Sequence, residues 1–401
     1  MKLHNKKHLT HLEEGGITVS FFETGDIYEM RYHDYQINLL RGNLIDGTTM
    51  NLYLRTFEEG TIFYTKLIGI DSPSLFTIKH NQAVYQGTFR DIHYQVIFSI
   101  EAFRWDFSVS LYSDKEVHCD VIYGQDIAIN HKGAVFNSEA YTVQYIDYKA
   151  FKNDNGYTLC ARQNQGKTML LQLGSHSKNI AYATDGFQFF GLSYKETHEP
   201  EILRSELLPS EIYQYEFSYF ALQSEKMIIH KDVQHIHFYG VLSPEDHDII
   251  KEPLKVEFKS LDKKKPFKIN QINDYRNYLN TQRPIYGNRL SFDEVKSLYP
   301  VMDQIEMKDQ QVLSFFTSNH HHVVLKEKEL LVERPHGHLH IHNDLLNASQ
   351  NVMAHTNFMF GVFSSHAVLG NSSFNKFSGD IRNPLNLHKI SGLRIYIKKD
   401  G

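Results

Sequence analysis

Phe103-Arg104-Trp105-Asp106-Phe107-Ser108-Val109-Ser110-Leu111 decides the fold class. Its apolar side chains, Phe103, Trp105, Phe107, Val109 and Leu111, alternate with Arg104, Asp106, Ser108 and Ser110. Period two sends the sets to opposite faces of a strand, one packed and one wet. Trp105, in line with Phe103 and Phe107, is expected between two sheets. The first 225 residues repeat this pattern in Tyr94–Ile100, Thr142–Ile146, Tyr157–Cys160, Met169–Leu173 and Glu211–Leu222. In the last, Tyr213, Tyr215, Phe217 and Tyr219 share a face. Asp46-Gly47, Asn155-Gly156 and Asp185-Gly186 read as turns between strands. No long helical period intervenes, so the expectation is a mainly β protein, a large antiparallel sandwich rather than βαβ units.

Composition bounds the function. The 401 residues carry 42 Lys+Arg against 47 Asp+Glu, a formal net charge of -5, which disfavours a nucleic-acid partner. A 41% hydrophobic and 13% aromatic content can bury a sizeable core. Two cysteines, Cys119 and Cys160, cannot staple this length; reduced thiols in a cytoplasmic protein are expected. The basic residues at Met1–His8 precede no apolar stretch, so no signal peptide is expected, and no apolar run is long enough for a membrane span.

The sequence divides into 1–225, an N-terminal β-sandwich; 226–311, a linker; and 312–401, further strands. Pro244, Pro253, Pro266, Pro284 and Pro300 fall in the linker, with a lysine-rich run from Lys251 to Lys268. Ser243-Pro244-Glu245-Asp246 and Ser291-Phe292-Asp293-Glu294 predict short helix starts. This linker is expected to wrap a surface rather than form a core. Strand patterns resume at Val323–Leu325, Glu329–Glu333, Phe358–Phe363 and Arg394–Lys398. The closing Asp400-Gly401 is a hairpin turn signal with no second strand, which suggests a piece of something longer.

Candidate chemistry is sparse. Residues 161–168 end in Gly166-Lys167-Thr168 like a relaxed phosphate loop, but the strand-like Met169–Leu173 follows where a helix is required. His336, His338, His340 and His342 would share one strand face and could hold zinc, iron or manganese; only Asp344 is a nearby acid. A polar or sugar-contacting face is the plainer reading, and the 24 histidines overall allow either. Asp106, Asp126, Glu139 and Asp147 could supply a carboxylate pair for sugar hydrolysis if the fold brings two together. Cys160 reads as a packed thiol, and no G-x-S-x-G elbow occurs. Tyrosine faces and Trp105 offer flat area for stacking on sugar rings.

Several segments together resemble the N-terminal part of glycoside hydrolase family 94, the inverting β-glucoside phosphorylases, on the branches that act on β-1,2-glucan. They are Phe103–Phe107, Tyr123-Gly124-Gln125-Asp126, Asn137–Tyr141, Gln144–Lys149, Gly156–Gln165, Ser314–Phe316, Lys328-Glu329, Glu333–His338 and Gly370–Lys376, in order along nearly the whole chain. The resemblance implies a galactose-mutarotase-like supersandwich and helical linker, preceding an (α/α)6 barrel that carries the general-acid Asp. Inorganic phosphate, the co-substrate, would attack the anomeric carbon and give α-glucose 1-phosphate with inversion. No general base is needed for an anionic nucleophile. No other cofactor is implied.

By the same resemblance Arg334, His336, His338, Asn371 and Asn375 would lie near the substrate, and His340–Asn343 departs from the family pattern. The chain stops before barrel helices, so a non-catalytic region that docks a barrel and supports a homodimer is the leading expectation. A free-standing carbohydrate-binding β protein and a metal-dependent sandwich enzyme on the histidine strand are the alternatives.

Overall fold

A computed structural model describes residues 9–42, 47–137, 139–191, 194, 199–214, 217–257, 265–273, 302–308, 311–317 and 322–324. In chain order the strands begin with β1 (Thr10–Glu14), β2 (Ile17–Phe21), β3 (Ile27–Tyr32), β4 (Tyr35–Gln36), β5 (Asn51–Glu58) and β6 (Thr61–Lys66). Next come β7 (Leu75–Lys79), β8 (Gln82–Phe89), β9 (Ile92–Glu101), β10 (Arg104–Tyr112), β11 (Val117–Asp126) and β12 (Asn130–His131). Helices α1 (Lys132–Asn137) and α2 (Glu139–Gln144) precede β13 (Ile146–Asn153), β14 (Gly156–Gln163), β15 (Leu170–Ser175) and β16 (Asn179–Asp185). Helix α3 (Gly186–Phe190) leads to β17 (Ser218–Ser224), β18 (Met227–Ile229) and β19 (Gln234–Ser243). Strands β20 (Met302–Lys308), β21 (Gln311–Thr317) and β22 (His322–Val324) form a separate antiparallel sheet.

Two antiparallel sheets make the sandwich. The larger runs β13-β14-β15-β19-β10-β9-β8-β7; the smaller runs β16-β17-β11-β5-β6, with β18 also on β11. A third sheet, β1-β2-β3-β4-β12, shares the main core. The mainly β, supersandwich expectation holds, and β10 is its central instance. Trp105, Phe107, Val109 and Leu111 are fully buried. Phe107 meets Tyr123 of the opposite sheet with ring centres 5.1 Å apart, and Trp105 Nε1 donates to the Tyr123 hydroxyl at 3.1 Å. Phe103 is the exception: it lies in the turn before β10, beside Tyr32, and stays 39% exposed.

Several local expectations are corrected. Thr142–Ile146 is not a strand: Glu139–Gln144 is helical, burying Glu139, Thr142 and Val143 and leaving Tyr141 outside. Over so few residues, period two and one helical turn predict nearly the same pattern. Asp185-Gly186 is not a hairpin turn but the start of α3; the Asp185 carboxylate accepts from the Phe187 amide at 2.7 Å, and Gln188 completes a capping box. Of the described residues in Glu211–Leu222, only Ser218 onward is strand; Tyr213 is exposed whereas Phe217 and Tyr219 are buried, and Tyr215 lies outside the described residues. Ser243-Pro244-Glu245-Asp246 starts no helix, because Asp246 instead accepts from Thr168 N (2.9 Å) and Oγ1 (3.1 Å). Asn155-Gly156 does turn β13 into β14, with Gly156 at φ 109.

The expected boundary at residue 225 falls between β17 and β18, and β19 beyond it is an inner strand of the larger sheet, flanked by β15 and β10. The change of composition that marks the linker begins only after Ser243. From there the described residues, 244–257 and 265–273, lie along the outside of the sandwich and carry no helix, and the expected helix start at Ser291–Glu294 lies outside the described residues.

Candidate functional site

The outer face of the larger sheet carries the polar half of each alternating strand, and the described residues of 244–257 and 265–273 are stitched onto it. Arg162 donates to the His247 carbonyl at 2.7 Å and Lys149 to that of Ile250 at 2.7 Å. The Gln172 amide pairs with both the Leu254 N–H (2.6 Å) and its carbonyl (3.1 Å). Arg104 reaches the Glu257 carbonyl at 2.6 Å. Farther on, Ile269 meets Thr88 and His93, and the Asn273 amide donates to Pro73 O at 3.0 Å. The segment thus crosses from β13 and β14 to the β7 edge.

Beneath it, Arg104 pairs with Asp106, its Nε lying 2.9 Å from the carboxylate. Burial raises the Asp106 pKa against the lowering effect of Arg104. The His176 ring packs on Tyr239 at 4.6 Å between centres. Burial first, then the Arg104 charge, lowers its pKa to about 4. It is therefore a neutral imidazole at pH 7.

Three of the four expected carboxylates are held by groups other than one another. Asp106 is held by Arg104, and Asp147 binds Arg162 at 2.8 Å. Asp126 is wholly buried and accepts the Leu40 amide at 2.6 Å. Glu139 is buried in the first turn of α2. Cys160 is packed with Leu170, Ile250 and Leu254, its thiol pushed up to about 12 by burial; both cysteines are free. The phosphate-loop resemblance dissolves, since strand β15 follows it and Thr168 binds Asp246. Arg334, His336, His338, His340, His342, Asn371 and Asn375 lie outside the described residues. Among the described residues no group of three His, Cys, Asp or Glu side chains could hold a metal. Nor, among them, is any helix long and apolar enough to cross a membrane.

A cleft of about 420 Å³ opens on the smaller sheet, at β6 and the 3-10 turn Glu201–Arg204. Tyr53 and Ile62 contribute to its lining, with Phe63, Tyr64, Lys66, Asp71, Phe89, Arg90, Glu199 and Arg204. Arg90 stacks on Phe63, 4.0 Å from the ring centre, and is held by Glu58 at 2.9 Å. Arg204 lies over Tyr64 and is paired with Glu199. The Tyr64 hydroxyl engages both, and burial followed by the Glu199 charge raises its pKa, keeping it a neutral phenol.

The turn bearing Arg204 is fixed from below. Arg55, 0% exposed, forks onto Asp120 with bonds of 2.8 and 2.6 Å. Its remaining donors reach the carbonyls of Leu203 (3.3 Å), Ser205 (2.5 Å) and Glu206 (3.1 Å). A buried guanidinium with all its donors engaged is the arrangement in which such a charge is tolerable. Sequence reading missed this cleft, because its residues come from four separated stretches and form no motif.

Comparison with known proteins places these observations. Residues 20–240 match the model of the SOGP N-terminal domain, and residues 299–401 that of the glycoside phosphorylase supersandwich domain. A 1,2-beta-oligoglucan phosphorylase from Listeria innocua serovar 6a is 32% identical over 398 residues, covering 98% of this chain and 36% of its own length. The chain thus spans about a third of that relative. Among solved structures, a galactose 1-epimerase from Lactobacillus acidophilus NCFM matches 61% of this chain and 98% of its own, at 8% identity and TM-score 0.35. A bacterial glucoamylase complexed with acarbose matches 58% of this chain and 31% of its own, at 10% identity and TM-score 0.35.

Proposed function

This chain belongs to the SOGP N-terminal domain family, within the glycoside hydrolase family 94 phosphorylases, and from that premise we propose that it is the non-catalytic, carbohydrate-associated region of an inverting β-1,2-glucooligosaccharide phosphorylase. The observation that carries the reading is the 32% identity running along 98% of the chain while covering 36% of the phosphorylase relative. On this reading the acid that protonates the leaving oxygen and most of the phosphate pocket belong to an (α/α)6 barrel outside these 401 residues. The sandwich docks that barrel and supports a dimer. Arg334, His336, His338, Asn371 and Asn375 shape the approach to the sugar in the complete enzyme. A reducing, cytoplasmic setting suits two free, buried thiols.

The engaged state of Asp106, Asp126 and Asp147 supports a structural role. A general acid must reach the leaving oxygen, and a carboxylate already clamped by a guanidinium or buried on a backbone amide is poorly placed to do so. The test is incubation of the 401-residue chain with β-1,2-glucooligosaccharide and inorganic phosphate. No α-glucose 1-phosphate is expected. Its formation at a rate proportional to the protein added would overturn the reading.

A further inference from the structure

We propose that the cleft at β6 is a binding site for a neutral oligosaccharide chain; the choice of a β-linked glucan as its occupant rests on the function proposed above. Charge pairing selects the ligand class. Lys66, Arg90 and Arg204 line the cleft with Asp71 and Glu199, a surplus of one cation, but two of the three cations are already held by carboxylates, Arg204 by Glu199 and Arg90 by Glu58 from outside the lining. A phosphate or sugar-phosphate site would need several cations free of carboxylate partners. A sugar chain wants alternating donors and acceptors beside flat apolar area. The Arg204–Glu199 pair and the Arg90–Glu58 fork supply the first, and Phe63 and Tyr64 supply the second.

Shape and rigidity agree. The volume of about 420 Å³ falls in the usual range for small-ligand sites. The Arg204 turn is preset by the Arg55 fork, which limits the ordering cost of binding. The polar face of the larger sheet is the other candidate for a sugar, but the 247–257 stretch is hydrogen-bonded across it and competes for its donors.

The experiment is calorimetric titration of the full 401-residue chain with glucooligosaccharides of β-1,2, β-1,3 and β-1,4 linkage, and separately with inorganic phosphate. Saturable binding of at least one oligosaccharide is expected, with no competition by phosphate. Arg204→Gln, on an exposed side chain, and Tyr64→Ala are each expected to weaken it by about tenfold or more. Lys178→Ala, on a remote surface pair, is expected to leave it unchanged. Melting curves check that each variant is folded. Binding that survives Arg204→Gln and Tyr64→Ala, a response to phosphate alone, or no oligosaccharide binding overturns the assignment. Those outcomes leave the phosphorolysis assay untouched, whereas glucose 1-phosphate formation by the chain would overturn the functional reading and leave this titration standing.

Discussion

Asp26 is buried and accepts three hydrogen bonds, from the Thr24 hydroxyl (2.6 Å), the Thr48 amide (3.0 Å) and the Ile70 amide (2.9 Å). It thereby ties the strand entering the third sheet to both ends of the β5–β6 hairpin. Gly47 and Gly69, at φ 83 and 69, pass against this carboxylate, and a Cβ on either would collide with it. Desolvation raises the Asp26 pKa, with the three donors opposing. Asp26→Ala leaves two buried amides without acceptors, at about 1–3 kcal/mol each. Urea unfolding of that variant is expected to show a loss of about 2–6 kcal/mol, and a loss below about 1 kcal/mol would sink the account. His176 gives a pH signature. Its folded pKa of about 4 lies below the ordinary 6.5, so the unfolded chain binds more protons between those values. Stability from His176 is therefore present above about 6.5 and lost as pH falls toward 4. The raised pKa of Asp106 acts with the opposite sign, so the comparison must be with His176→Gln. The wild type is expected to lose more melting temperature than that variant between pH 7 and pH 5; equal losses would contradict the burial argument.

At the scale of elements, the 244–273 segment is the least regular part of the sandwich and the most revealing. Its described residues pair with no strand, and several backbone groups are satisfied by side chains, chiefly those of Gln172, Lys149, Arg162 and Arg104. Gln172→Ala removes both bonds to Leu254 at once. Hydrogen exchange should then quicken at Leu254 while Leu171 and Leu173, paired within the sheet, keep their protection. Unchanged exchange at Leu254 would show that apolar contacts with Cys160 and Leu170 suffice to hold the segment. This behaviour explains what was legible in the sequence. Long alternating runs such as β9 and β10 declare themselves because nine or ten residues repeat one period. Proline and lysine enrichment predicts a connection rather than a strand after Ser243, but the partners of its carbonyls lie on strands far away in sequence. Helices α2 and α3 are only six and five residues long, too short for a period to emerge, and α3 was hidden because Asp-Gly serves turns and helix starts alike. The cleft could not be read at all. It takes Tyr64 from a hairpin, Arg90 from a left-handed turn at φ 53 and Arg204 from a 3-10 turn, and only the sheet order brings them together.

For the molecule as a whole, β19 decides where the sandwich ends. It is bonded on one side to β15 and on the other to β10, through Trp105↔Gly240, Phe107↔Phe238 and their neighbours. Gly240 is required there because the Trp105 indole occupies the space where a side chain would begin. Ile236, Phe238 and Leu242 project from β19 into the core and are buried. Burial of three such side chains contributes about 5–9 kcal/mol at about 1.5–3 kcal/mol each. That is comparable to the whole stability of an ordinary domain, about 5–15 kcal/mol. Removal of β19 also strips β10 and β15 of a ladder of backbone partners and cuts the larger sheet into three strands and four. A chain ended at residue 225 is therefore expected not to fold, whereas one ended at residue 273 keeps both sheets and the segment that crosses the larger one. Thermal unfolding followed by circular dichroism separates the cases. The longer product should melt cooperatively and the shorter should show no transition. A cooperative melt of the 225-residue product at the midpoint of the longer one would mean that the sheet closes without its inner strand, and that the compositional break rather than the topology marks the domain.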